Sequence, residues 1–215
     1  MAPLLLITFS MKFIAVSLLS LILAGAAHAQ SISSEVLAEM NLARTAPQQY
    51  AQLLAQRMAN YKGREGHRVV EEAVRFLQRA EPLPALSLSE GMSKAASLHV
   101  ADQGSRGARG HRGSGGTSPW GRMARFGQHL GYAGENIHYG SRDARGIVMA
   151  LIVDDGVRGR GHRKNIFSRN FRVTGIAAGP HSSYRSMCVM GFASGFIERG
   201  GDRVASSTTS SLPRL

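Results

Sequence analysis

The chain of 215 residues contains a single cysteine, Cys188, so no disulfide can form within it. Small exported domains commonly use disulfides to supplement a limited core, and this chain must rely on packing alone. Cys188 lies in the apolar stretch at residues 187–190. That position predicts a buried, inert thiol and not a nucleophile.

Acidic and aromatic residues are also scarce. Lys and Arg number 26 against 14 Asp and Glu, a formal net charge of +12, and aromatic residues make up 7%. A positive excess favours anionic partners such as acidic polysaccharides, lipid headgroups or nucleic acid. The basic residues are scattered and no stacking platform for bases is visible, so the sequence does not favour nucleic acid. An anionic envelope polymer, a lipid or only a solvated arginine-rich surface all stay open.

Only one apolar run is long, and it stands at the N-terminus. Lys12 is followed by an apolar stretch at residues 13–25 and then by Ala27-His28-Ala29, the layout of a cleavable secretory signal peptide over residues 1–29. A membrane anchor is the alternative, but the run is short and no basic stop follows it. We expect a secreted protein, extracellular or periplasmic, without a transmembrane segment after cleavage. One domain over residues 30–197 and a disordered tail over 198–215 would follow.

Helical patterns come first along the chain and strand patterns last. Apolar residues at helical spacing predict helices over residues 33–58 (interrupted at Pro47), 69–77, 89–100 and 141–154. Strands are predicted at 135–139, 173–179 and 187–196, with glycine-rich basic loops at 104–116 and 159–165. This order predicts an α+β layered domain with an antiparallel sheet.

Histidines and carboxylates gather at a few positions of the chain. The candidates are His111, Glu135, Asp154, Asp155 and His162. If they converge, two imidazoles and carboxylates would suit zinc or manganese. The spacings are long and form no local chelate, so spacing alone is a weak indication. His99 lies on an apolar helix face and is predicted to be a core histidine.

Asp154 and Asp155 stand at the predicted C-terminus of a helix, where they face the negative end of its dipole. That placement costs some tenths of a kcal/mol each and requires a compensating partner. Arg160, His162, Arg163 or a metal ion could supply it. The alternative is an aspartate–arginine pair that only closes the loop.

Three segments in order carry a resemblance to a known family. They are NLARTAP at residues 41–47, GENI at 134–137 and GHRKNIF at 161–167. Together they resemble the CAP superfamily of cysteine-rich secretory, antigen-5 and pathogenesis-related-1 proteins, also called SCP domains. The GHRKN form and the single cysteine resemble the bacterial branch. The resemblance covers residues 33–196.

The resemblance implies a three-layer α-β-α sandwich with a central antiparallel sheet and an open cleft holding two histidines and two acids. These fall on His111, Glu135 and His162, with Asp154 or Asp155 where the family usually has a longer glutamate. Asn136, Arg160 and Arg163 are expected to support the surrounding loops.

The family shares no established activity, so the function has to be argued from the site. Our first hypothesis is a secreted binding protein whose cleft takes a divalent metal or a small ligand. The second is a metal-dependent, protease-like hydrolase with Glu135 as general base. The third is a surface protein whose basic face holds anionic envelope polymers.

Overall fold

A computed structural model describes residues 32–200 and 204–205. The predicted signal peptide and most of the predicted tail lie outside these residues. Helices occupy residues 32–45 (α1), Pro47–Arg57 (α2), Arg68–Arg79 (α3), Glu90–Arg106 (α4), Pro119–Met123 (α5), Ala144–Val153 (α6) and Gly161–Ile166 (α7). Strands occupy Ser87–Leu88 (β1), Gly127–Tyr139 (β2), Val173–His181 (β3), Arg185–Glu198 (β4) and Val204–Ala205 (β5).

The strands form one sheet in the order β1-β3-β4-β2, with β5 on β4. All pairs are antiparallel except the short β1–β3 pair, which is parallel. The strand β5, Val204–Ala205, consists of two residues of the segment predicted as a disordered tail. The sheet is therefore mixed, and its β2–β4–β3 centre is antiparallel as predicted.

Helices cover both faces of this sheet. Ile176, Met190 and Phe192 pack with α1, α2, α3 and α6 in the larger core, which also buries Cys188. Burial raises the pKa of the Cys188 thiol to about 12, in agreement with an inert role. Met92 and Ala95 of α4 pack against the opposite face. The α+β sandwich inferred from the order of elements and from the family resemblance is confirmed.

A glycine allows α4 to approach the sheet closely. A Cβ placed on Gly175 of β3 would lie 2.2 Å from the backbone carbon of Met92. No larger residue fits there without moving α4 or the strand. The N-terminus of α4 is closed by Ser89, whose side chain accepts a bond from the N–H of Met92.

Three predicted boundaries differ from the structure. The helix α6 is capped by Asp143 and not by Ser141. Residues predicted as the loop 159–165 form the short helix α7 from Gly161, because an aspartate that precedes this segment accepts hydrogen bonds from N–H groups of its first turn, as described below. The strand β2 begins at Gly127, well before the predicted residue 135. An irregularity between Leu130 and Ala133 breaks its alternation and hides the early part of the strand.

Candidate functional site

His111 and Glu135 form the first of two histidine–carboxylate pairs. The Nδ1 atom of His111 lies 2.8 Å from Oε1 of Glu135. The other oxygen, Oε2, accepts a 2.6 Å bond from Nη2 of Arg122. The side chains of Arg122 and Glu135 are both 5% exposed, whereas that of His111 is 51% exposed. A buried ion pair therefore orients a histidine that stands half in solvent.

The loop that carries His111 is fixed to its surroundings just before that residue. Gly110 donates its N–H to the hydroxyl of Tyr139, and its carbonyl accepts bonds from Gln103 and from Nε2 of His99. Because a carbonyl only accepts, His99 carries its proton on Nε2. Burial lowers the pKa of His99, which is fully buried as predicted for a core histidine. Arg122 completes this support by donating to the carbonyl of His111.

His162 and Asp154 form the second pair, beside the first turn of α7. Oδ1 of Asp154 lies 2.6 Å from Nδ1 of His162, and Oδ2 accepts the backbone N–H of the same residue at 2.9 Å. The N–H of Arg163 approaches Oδ2 at 3.4 Å. The side chain of Asp154 is 2% exposed and that of His162 is 25% exposed. This pair is the more deeply packed of the two.

These contacts explain why Asp154 is tolerated at the C-terminus of a helix, where negative charge is unfavourable. Asp154 is the C-cap of α6 in the left-handed conformation, with φ of 57°. The same carboxylate faces the N–H groups at the start of α7, where negative charge is favourable. Its cost at the end of one helix is offset at the beginning of the next.

Asp155 has a different environment, in contact with the loop after α2. Its carboxylate accepts bonds from the Tyr61 hydroxyl and from the backbone N–H groups of Arg64 and Glu65. Its carboxylate bonds neither Arg160 nor Arg163, so Asp155 does not form the aspartate–arginine pair that the sequence left open. Both of its oxygens are used in joining two loops.

Arg160 and Arg163 both contact a glutamate that sequence reasoning did not single out. Both guanidinium groups bond the carboxylate of Glu72 on α3. Arg163 also donates to the carbonyl of Ile152, and Arg160 to that of Asp154. These bonds fix the end of α6 and the start of α7 around Asp154.

Consecutive residues of β2 connect the two pairs. Glu135 belongs to the first pair, and the side-chain amide of its neighbour Asn136 donates to the carbonyl of His162 at 3.0 Å. Asn165 of α7 donates in turn to the side-chain oxygen of Asn136. The GEN and GHRKN segments thus meet through Asn136, Asn165 and the backbone of His162.

The four paired side chains do not form one cluster of ligands. Within residues 32–200, no group of three or more His, Cys, Asp or Glu side chains is arranged to hold a metal ion. The carboxylates of Glu135, Asp154 and Asp155 all accept hydrogen bonds from donor groups of the chain itself. Each histidine instead forms a hydrogen bond to a carboxylate through Nδ1. Neither Nε2 atom forms a hydrogen bond with any group in the described part of the chain. An Nδ1–carboxylate bond is the arrangement that orients imidazoles toward metal ions.

Two residues near the pairs were missed from the sequence. Arg122 follows the Pro119-Trp120-Gly121 turn, and nothing local in the sequence indicates that its side chain is buried against Glu135. His138 lies two residues after Asn136, and its Nε2 accepts the N–H of Ser141. Burial, followed by the electrostatic influence of the nearby His162, lowers the pKa of His138 to about 4.

Comparison with known proteins places this arrangement in a family. The model of the cysteine-rich secretory protein (CAP) family matches residues 37–192, a span that contains both pairs. The chain belongs to the CAP family. No helix in residues 32–200 is long and apolar enough to cross a membrane. The search of curated proteins gave no significant match.

Solved structures similar to this chain include proteins of three bacteria. An outer surface protein of Borrelia burgdorferi has 16% identity and a TM-score of 0.44, over 59% of this chain and 86% of its own. An extracellular SCP-domain protein of Bacillus anthracis has 23% identity and a TM-score of 0.40, over 52% and 34%. A cysteine-rich secretory protein of Staphylococcus aureus has 14% identity and a TM-score of 0.36, over 59% and 37%. The chain thus spans about a third of the length of the last two.

Proposed function

We propose that this chain is an exported CAP-family binding protein that takes up a divalent metal ion through His111 and His162. The observation that carries the proposal is the orientation of the imidazoles. Each directs Nδ1 at a buried carboxylate and leaves Nε2, the usual ligand atom in such an arrangement, without a partner in the described residues. Imidazole nitrogen favours zinc over manganese.

In this proposal the acids orient the ligands and are not ligands themselves. Glu135 and Asp154 accept the Nδ1–H protons, which makes the imidazoles better electron donors at Nε2. Asp155 holds the loop behind Asp154. A zinc ion held by only two histidines keeps open positions, which a small molecule or a group of a larger ligand can fill.

The hydrolase hypothesis is not favoured by the contacts of Glu135. A general base needs a carboxylate oxygen free to accept a proton from water. One oxygen of Glu135 bonds the guanidinium of Arg122 at 2.6 Å and the other faces His111 at 2.8 Å.

Zinc titration of the purified, tag-free protein tests the proposal. We expect zinc to bind with one-to-one stoichiometry in calorimetry, and His111→Ala or His162→Ala to weaken binding by about tenfold or more. The exposed His67 provides the control, since His67→Ala should leave the affinity unchanged. Unchanged zinc affinity in the double variant His111→Ala, His162→Ala would refute the proposed metal site.

A further inference from the structure

Among the described residues, the acidic side chains all have partners, whereas some of the basic side chains do not. Within residues 32–200, every carboxylate side chain has an interaction partner in the chain. Basic residues outnumber acidic ones, so a set of cations is left without acidic partners. Where such cations gather, the surface can attract an external anion.

Four of these cations lie on α7 and on two neighbouring loops, and we call them the cationic face: Lys62, Arg64, Arg158 and Lys164. All four residues are exposed. None of their side chains forms an ion pair or a hydrogen bond with the described residues. Arg64 contributes to lowering the pKa of Glu65, but the carboxylate of Glu65 is bonded by Arg160. The four charges are therefore available to a partner.

Asp155 fixes the two loops side by side. Its carboxylate accepts the Tyr61 hydroxyl at 2.9 Å and the N–H of Arg64 at 2.6 Å. In the opposite direction, the N–H of Gly156 donates to Glu65 at 2.6 Å. Hydrogen bonds between the two loops therefore hold the backbone of the cationic face in place.

Three of the cations are grouped along residues 156–159. A Cβ placed on Gly156 would lie 3.1 Å from Cδ of Arg64, and one on Gly159 would lie 3.9 Å from Nζ of Lys164. Arg158 stands between these two glycines. Four consecutive Cα atoms span at most about 11 Å. Because the three side chains lie along one short segment, a single anionic chain can meet all three charges together.

We propose that the cationic face binds an acidic polysaccharide. Several exposed cations, carried by α7 and two loops, suit a polymer with repeated charges better than a single small anion. Stacking of bases needs exposed aromatic rings, and the most exposed ones among the described residues, Trp120 and Tyr132, lie on α5 and β2 instead. The face therefore fits sugar carboxylates or sulfates better than a single-stranded nucleic acid. This inference does not depend on metal binding at His111 and His162.

The test compares two triple variants with the same change in net charge. The first, Arg64→Gln, Arg158→Gln, Lys164→Gln, removes the grouped cations. The second, Arg79→Gln, Arg125→Gln, Arg142→Gln, removes exposed arginines elsewhere. Binding to heparin and to polygalacturonate is measured by calorimetry at two salt concentrations. We expect the first variant to bind about tenfold more weakly, and the second to change less than about twofold.

Three further measurements make the outcome decisive. The charge-preserving variant Arg64→Lys, Arg158→Lys, Lys164→Arg should keep the affinity for polysaccharide. Because the substituted side chains are exposed, the melting temperatures of all these variants should stay close to that of the parent. The double variant His111→Ala, His162→Ala should bind polysaccharide normally, which separates this inference from the metal proposal. Equal losses in both triple variants, or tighter binding of single-stranded DNA than of either polysaccharide, would overturn the inference.

Discussion

The two histidine–carboxylate pairs are built in different ways. Asp154 and His162 are eight residues apart, and the carboxylate bonds both the side chain and the backbone of its histidine. Glu135 and His111 are 24 residues apart, and only side-chain atoms join them. The first of these pairs is set by the local junction of two helices, whereas the second depends on a third residue, Arg122.

This difference indicates where each pair is vulnerable. In the Asp154–His162 pair, the aspartate also serves as the cap of α7, so orientation of the histidine and local stability are coupled. In the Glu135–His111 pair, the buried charge of Glu135 is neutralised by Arg122, which also donates to the carbonyl of His111. Removal of Arg122 should therefore release that histidine and leave a buried carboxylate without its counter-ion.

The largest effect is expected from Arg122→Met. Breaking a buried ion pair by removing one partner leaves an uncompensated charge, which costs about 3–5 kcal/mol. Urea unfolding should show this loss in the free energy of unfolding. The control is Arg145→Met, because Arg145 pairs with Glu39 but is 44% exposed, and that loss should stay under about 1 kcal/mol. Arg122→Lys should recover part of the stability. Equal losses at both sites would mean that the Arg122–Glu135 pair is not buried as described.

Substitution of the adjacent aspartates should have a smaller effect on stability, but it should distinguish the two residues by their effect on zinc binding. Asp154→Ala and Asp155→Ala should each lower the free energy of unfolding by about 1–3 kcal/mol, since each removes an acceptor from several donors. Only Asp154→Ala should weaken zinc binding, by about tenfold, because only Asp154 contacts His162. The macrodipole of α6 taken alone predicts a small gain from neutralising Asp154, and the contacts with α7 reverse that sign. Parallel zinc affinities in the two variants would contradict the assignment of Asp154 to the site.

The smallest predicted effect concerns acid stability on the His162 side of β2. The pKa of His138 is about 4 in the folded state and about 6.5 in an unfolded chain, so the unfolded state binds the proton first as the pH falls. The stability from neutral His138 is complete above pH 6.5 and is lost as the pH falls toward 4. Between pH 7 and 5 we expect a loss of about 1–2 kcal/mol in urea unfolding, which His138→Gln should remove. His67→Gln, at an exposed residue, should leave the pH dependence as it was. Identical pH dependence in parent and His138→Gln would show that His138 is not held neutral.

The sequence predicted the fold for physical reasons that are local. Apolar spacing located the helices and the two long C-terminal strands, whereas His111, Glu135 and His162 were site candidates implied by the family resemblance. The roles of the carboxylates were not predictable in this way. Whether a carboxylate binds a metal ion or orients a histidine depends on which donors reach it, and those of Glu135 include Arg122, 13 residues away.

The short helix α7 shows the same limit. Glycine and basic residues at 159–165 have the composition of a loop, and Arg160 offers no side-chain cap. The helix forms because Asp154 accepts the first N–H groups and because Glu72 holds Arg163. These partners come from other turns of the chain, so no pattern within the segment could indicate them.

The proposed metal site requires that both imidazoles are held with Nδ1 on a carboxylate and with Nε2 free to bind. Long-range ¹⁵N–¹H correlation spectra of the metal-free protein near pH 8 report the tautomer of each histidine directly. We predict the Nδ1–H tautomer for His111 and His162, and the Nε2–H tautomer for His99, whose Nε2 donates to Gly110 and so provides an internal reference. On addition of zinc, the Nε2 signals of His111 and His162 should shift first. An Nε2–H tautomer at His111 or His162, or zinc-induced shifts confined to other histidines, would contradict the proposed metal site.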